Sequence, residues 1–154
     1  MPPASGAGAA ASRGPRTTMN ARQRQLVKRS WRQVGPDAMR LAELFYSRLF
    51  DMAPPLRQLF RGDLTLQQQR LVTMLGTIVE DLDRLEGLEP TLRELGERHA
   101  RLGILDAHYA TFGDALMWAL QRVLWSDFTP EVEDAWRAAY RVMAETMTAD
   151  TGET

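Results

Sequence analysis

LGERHARLGI, residues 95 to 104, holds one of only two histidines in the chain. Counting from His99, Leu92 and Leu95 lie seven and four residues earlier, and Leu102 lies three later. On a helix those positions share one side. An imidazole therefore sits in an apolar stripe, where a buried polar group without a partner costs about 1–3 kcal/mol. What that ring does there decides how the rest of the chain is read.

Outward from this stretch, the pattern is helical almost throughout from residue 20, with Pro and Gly at intervals that suit breaks between helices. A first helix is expected over about 20 to 34, ending at Gly35-Pro36, and a second over about 37 to 51, carrying Leu41, Leu44, Phe45 and Leu49. Pro54 and Pro55 start a short helical segment that ends near Phe60. The tripeptide Arg61-Gly62-Asp63 reads as a loop between helices. A fourth helix, about 64 to 82, shows the stripe Leu71, Leu75, Ile78 and Leu82. Pro90 is placed in the first turn of a shorter segment ending near Arg101, and Asp106 as the N-cap of the next long helix. The last helix opens with Thr129-Pro130-Glu131: a cap, a proline at the first helical position, and an acid near the positive end of the dipole. The expectation is one all-α domain of six or seven helices, more than a plain four-helix bundle.

The totals set bounds. The chain has 154 residues, 44% hydrophobic and 25% charged, which is ordinary for a globular domain with a sizeable core. Its 19 basic and 20 acidic residues give a net charge of -1, so bulk electrostatics offer no case for nucleic acid or an anionic membrane surface. The absence of cysteine excludes disulfides, thiolate catalysis and Cys-ligated metal, and fits a reducing, cytoplasmic compartment. No apolar run approaches membrane-spanning length. Residues 1–19, MPPASGAGAAASRGPRTTM, read as a disordered tail without the apolar core of a secretory signal. The domain is expected over 20–148, with a short C-terminal tail at 149–154.

Four polar residues fall on apolar faces. His99 is the first. Gln67, four residues before Leu71, continues the stripe of the fourth helix. Tyr46 shares a face with Met39, Ala42, Leu49 and Phe50, and Tyr109 follows His99 by ten residues. One histidine does not make a zinc or non-haem iron site, which takes three or four side-chain ligands. His108 is nine residues away across a glycine-containing break. A single axial histidine does suffice for haem, whose porphyrin supplies four nitrogens. The ring's second nitrogen then needs an acceptor, for which the Leu95 carbonyl, one turn earlier, is the expected partner.

Taken together, LFYSRLF at 44 to 50, APPLRQLF at 53 to 60, LGERHARLGI, HYATFGDALMWAL at 108 to 120 and FTPEVEDAWRAAY at 128 to 140 resemble a globin. The similarity is to single-domain bacterial haemoglobins, to the haem domain of flavohaemoglobins and to neuroglobin. It implies a globin fold of six to eight helices around a haem b pocket. By this resemblance His99 matches the proximal histidine that ligates iron. Phe60 matches the aromatic that packs on the porphyrin. Gln67, 32 residues before His99, matches the distal position, with Leu71 beside it. Tyr46 matches the distal tyrosine of flavohaemoglobins, and Tyr109 the tyrosine beside their proximal histidine. Arg70 stands where a basic residue meets a haem propionate, and Ile104 and Phe112 are expected to line the proximal side. A hydroxyl or amide N–H there would stabilise a gas ligand that gains negative charge.

The resemblance also fails at points. Flavohaemoglobins continue into flavin- and nicotinamide-binding domains, and the 154 residues do not. Their glutamate on the last helix falls near Thr151 in an ungapped match, with Glu145 out of register. The distal residue is Gln, which argues against the bis-histidine ligation of neuroglobin. The implied activity is reversible binding of dioxygen, and of nitric oxide and carbon monoxide, for oxygen transport or storage. Nitric oxide detoxification by dioxygenation is the second use, and it needs a reductase in trans. A globin-fold sensor acting through a protein partner is the rival from another class. A monomer and a homodimer both stay open.

Overall fold

The computed structural model describes residues 18–148, apart from the side chains of Leu85 and Glu86. Most of both expected tails, and Thr151 with them, lies outside the described residues. Among the described residues six α-helices follow one another: α1 Ala21–Val34, α2 Ala38–Met52, α3 Leu64–Glu80, α4 Leu85–Arg101, α5 His108–Leu124 and α6 Pro130–Thr148. Single turns of tighter 3-10 helix occupy Gly35–Asp37, Pro54–Gln58, Leu82–Arg84 and Trp125–Asp127. The described residues contain no strand, and no helix among them is long and apolar enough to cross a membrane.

The helix starts follow from local hydrogen bonding. Asn20 accepts from the Gln23 N–H at 2.8 Å while Gln23 accepts from the Asn20 N–H at 3.0 Å, a reciprocal capping box that opens α1. Gly62 takes φ +89°, a left-handed turn that glycine adopts freely. It delivers Asp63 to accept from the Thr65 N–H at 2.9 Å. The Arg61-Gly62-Asp63 tripeptide is thus the entry to α3. Thr129 caps α6 by accepting from the Val132 N–H at 3.2 Å.

Three details differ from the sequence reading. Pro90 lies inside α4, which begins five residues ahead of it. An interior proline forfeits one backbone bond and costs roughly 3 kcal/mol. Leu88, Leu92 and Gly96, buried at four-residue spacing, carry one apolar face straight through it, and that burial outweighs the break. Asp106 does not cap α5. The helix starts one residue later than a cap there requires, and its N-cap, Ala107, makes no side-chain bond. The His108 Nδ1 instead accepts from the Leu105 N–H at 2.9 Å. Lastly, Met19 is buried and its carbonyl accepts from Arg24 at 2.7 Å, so ordered packing begins inside the stretch read as tail.

The helices pack in a definite pattern. α2 lies along α5, α1 and α4 both lie against α6, and α3 rests on α2 and α1. Leu41, Leu49, Leu120 and Trp136 are fully enclosed where these pairs meet. Each such side chain contributes about 1.5–3 kcal/mol. Ser30 is the one buried polar residue among those described. Its hydroxyl donates to the Leu26 carbonyl at 2.7 Å and accepts from the Trp136 indole at 2.8 Å, tying α1 to α6. α4 approaches α6 so closely at Gly96 that an added Cβ would stand 2.0 Å from the Met147 carbonyl oxygen. α3 and α4 are not among the extensively packed pairs. α3 carries Gln67 and α4 carries His99.

Candidate functional site

A continuous chain of aromatic rings leads from α2 to His99 on α4. α2 contributes Tyr46 and Phe50, whose centroids are 5.8 Å apart. Phe60 follows the proline-started turn, and Arg57 holds it by donating to its carbonyl at 2.8 Å. Phe60 lies 5.6 Å from Tyr46 and 6.5 Å from Phe112 of α5. Phe112 in turn stands 6.3 Å from the His99 ring and 5.6 Å from Tyr109. These edge-on and tilted geometries are the favourable ones for aromatic pairs. Tyr46, Phe60, Phe112, His99 and Tyr109, picked from the sequence, therefore come together in one place. Phe50 belongs with them and was not picked, because a phenylalanine at the end of an apolar stripe looks like any core residue.

His99 is half-buried. Burial first, and the neighbouring Arg98 charge second, push its pKa down to about 4. The imidazole is neutral at pH 7. Its Nδ1 lies 3.4 Å from the Tyr109 hydroxyl, a long contact. The acceptor one turn earlier, Leu95, is not the partner. Burial, with Asp106 adding to it, pushes the Tyr109 phenol up to about 12, so the hydroxyl keeps its proton. Among the described residues Nε2 has no hydrogen-bond partner. When Nδ1–H donates to Tyr109, the Nε2 lone pair is free to ligate.

Tyr109 is itself held. The Tyr140 hydroxyl donates to its carbonyl at 2.6 Å. Tyr140 lies against α5 at Gly113, where a Cβ would come within 2.9 Å of its ring. The sequence does not place Tyr140 beside Tyr109. Its link to Tyr109 depends on a crossing of α5 and α6 that periodicity does not encode.

Tyr46 is buried at 6% exposure, and burial pushes its phenol up to about 12. Its hydroxyl has no hydrogen-bond partner among the described residues. On α3, Gln67 and Leu71 are half-buried on one face, and Leu71 packs against the core. Arg70 is exposed, with no carboxylate in salt-bridge range among the described residues. No hydrogen bond joins Gln67 to the ring chain. Ile104 is buried just after Gly103, whose φ of +97° turns the chain out of α4. The apolar Leu102 and Leu105 beside it stay 50% and 62% exposed. No three His, Asp or Glu side chains gather into a metal-binding group among the described residues, so His99 stands alone. Two cavities are present nearby: about 300 Å³ between α5 and α6, lined in part by Tyr109 and Tyr140, and about 480 Å³ among α2, α5 and the start of α6.

The fold and site define an all-helical protein that sets a single neutral imidazole at the end of a chain of aromatic rings. The Globin family model matches residues 43–147. The chain belongs to the globin family. It is 30% identical over 128 residues to an anaerobic nitrite reductase of Oryza sativa subsp. indica, covering 79% of this chain and 88% of that one. It is 26% identical over 140 residues to neuroglobin-1 of Oncorhynchus mykiss, covering 82% and 88%. It is 33% identical over 125 residues to a flavohemoprotein of Bordetella parapertussis, covering 79% of this chain and 31% of that longer one. Among solved structures, an engineered carbene transferase made from a candidate nitric oxide dioxygenase of Rhodothermus marinus superposes with a TM-score of 0.81. It is 26% identical, with 88% of this chain and 95% of that one covered.

Proposed function

We propose that the chain binds haem b through His99 and reversibly binds dioxygen and other diatomic gases. The observation that carries this is the state of His99: neutral, backed by Tyr109 at Nδ1, and unpartnered at Nε2. When bound, haem supplies a ferrous iron with one open coordination position for a gas ligand.

The donor set fits that group. His99 would hold the iron from Nε2, and Tyr109 would fix the ring's orientation and tautomer. Phe60, Phe112, Ile104 and Leu71 would pack on the porphyrin. The exposed apolar edge at Leu102 and Leu105 would be covered by it, and Arg70 would meet a propionate. The Tyr46 hydroxyl and Gln67 amide would donate to a ligand that gains negative charge, slowing its release. A protonated Tyr46 without a protein partner is ready for that role.

The same pocket supports a second activity, dioxygenation of nitric oxide, fed by a reductase in trans. The flavohemoprotein and the candidate dioxygenase among the relatives favour it. No observation favours the sensor reading over gas binding.

The ultraviolet–visible spectrum of the protein supplied with haem, wild type against His99→Ala, tests the assignment. The wild type is expected to show a sharp Soret band whose dithionite-reduced form shifts with carbon monoxide, and His99→Ala to lose it. Wild type without haem uptake, or a variant with an unchanged spectrum, sinks the reading.

A further inference from the structure

The cavity among α2, α5 and the start of α6 plays no part in gas binding. Its volume, about 480 Å³, falls in the range of small-molecule pockets, roughly 300–1,000 Å³. Arg48 of α2 forms one wall. That residue is half-buried, and its Nε is shut off from solvent with no hydrogen-bond partner. Its terminal N–H groups have no acceptor either, and no carboxylate lies within 4.0 Å of it, among the described residues. A guanidinium carries five donors. The four on the terminal nitrogens have no protein acceptor among the described residues and are not closed off from solvent, so a ligand can reach them.

What holds Arg48 is Trp118 of α5. The guanidinium carbon stands 5.2 Å from the indole, and Arg122 stacks on the same indole at 4.8 Å. Two cations therefore share one aromatic ring. The carboxylates in the cavity wall do not relieve them. Asp114 and Glu133 are both taken by Arg137, at 3.3 and 3.0 Å. The rest of the wall includes the apolar side chains of Met52, Met117 and Phe128, with Met52 39% exposed.

We propose that this cavity binds a small organic anion, a carboxylate on an apolar body. The carboxylate pairs with the Arg48 guanidinium, for which a planar, bidentate acceptor is the matching shape. The body lies on Trp118, Met52 and Phe128. An inorganic anion would leave the apolar wall unused, and a neutral apolar molecule would leave Arg48 unmatched. The site shares no residue with the haem site proposed above, so each stands or falls alone.

The test is a titration of the full chain with sodium 4-phenylbutyrate, followed by calorimetry and by the indole N–H resonances of its four tryptophans. The expected result is a Kd below about 1 mM, with the Trp118 resonance shifting while Trp31 and Trp136 stay fixed. The neutral 4-phenylbutyramide is expected to bind at least about tenfold more weakly, and Arg48→Met to cost the acid at least about tenfold. Arg32→Met, on α1, which supplies no residue to the cavity wall, is expected to change nothing. The amide comparison needs no variant, so it stands even where Arg48→Met folds poorly. Equal binding of acid and amide, equal binding of sodium sulfate, a static Trp118 resonance, or no binding at all each overturns the proposal.

Discussion

Replacing Gly96 by alanine tests how α4 carries His99. Elsewhere in a helix the change is favourable by about 1 kcal/mol, because glycine spends more backbone freedom than alanine. At Gly96 the added Cβ would sit 2.0 Å from the Met147 carbonyl oxygen, 2.8 Å from its carbon and 3.0 Å from its Cα. Ordinary contact begins near 3.4 Å, so α4 must back away from α6 by about 1.4 Å along that line. All three atoms are backbone, and no side chain can swing aside. Overpacking of this kind costs about 1–3 kcal/mol, here at the upper end. Offset by the helix gain, the net loss is about 2 kcal/mol. That is a melting temperature lower by roughly 8 °C for a domain of this size. The internal control is Gly87→Ala on the same helix, where an added Cβ meets nothing within 4 Å. Urea unfolding should show opposite signs, Gly96→Ala destabilised and Gly87→Ala stabilised. The reasoning is refuted if Gly96→Ala unfolds at the same or a higher urea concentration than wild type.

Three further outcomes are expected. All three tyrosines are held above the ordinary phenol range, chiefly by burial, Tyr46 and Tyr109 at about 12 and Tyr140 also raised. The unfolded chain releases those protons from about pH 10, so their stabilising effect is complete below that and is lost as pH rises towards 12. Absorbance near 295 nm should stay flat through pH 10 and rise only with unfolding; a normal phenol titration at pH 10 would contradict the burial. Tyr46→Phe should speed dioxygen dissociation about tenfold, by loss of one hydrogen bond to the ligand, while leaving stability equal or higher because that hydroxyl has no protein partner. An unchanged off-rate in stopped flow removes Tyr46 from the site. Ser30→Ala strands the Trp136 N–H in the core and should cost about 1–3 kcal/mol in urea unfolding; a neutral result would mean the indole finds another acceptor.

Much of the fold was legible because its signals are local. Thr129-Pro130 names its helix start by chemistry confined to four residues, and the stripe around His99 is a matter of spacing on one helix. Pro90 misled because the rule for proline is local too, while the burial of Leu88 and Leu92 that carries α4 past it comes from α4 packing in the core. Asp106 looked like a cap, but the helix starts one residue too late for it, and α5 opens without a side-chain cap while His108 accepts from the Leu105 N–H ahead of the helix. In the site, His99, Tyr46, Gln67 and Tyr109 could be found as polar residues on apolar faces. Gly96, Tyr140 and Arg48 could not. Each owes its place to a helix crossing: α4 on α6, α5 on α6, and α2 on α5.

The helices that carry Gln67 and His99 are fastened to different parts of the molecule. α3 leans on α2 and α1, whereas α4 is secured mainly through α6. Hydrogen exchange is expected to resolve the order in which these parts open. The α2–α5 pair is expected to exchange slowest, and α4, with an interior proline and one principal neighbour, to open at lower free energy. A molecule that grips His99 on one side and α3 on the other binds only when both units are in place. Its binding free energy would appear as protection of α4 amides far from any atom it touches. The histidine that decides the fold in the sequence would thus sit on the least secured helix of the domain, where a cofactor does most to complete it.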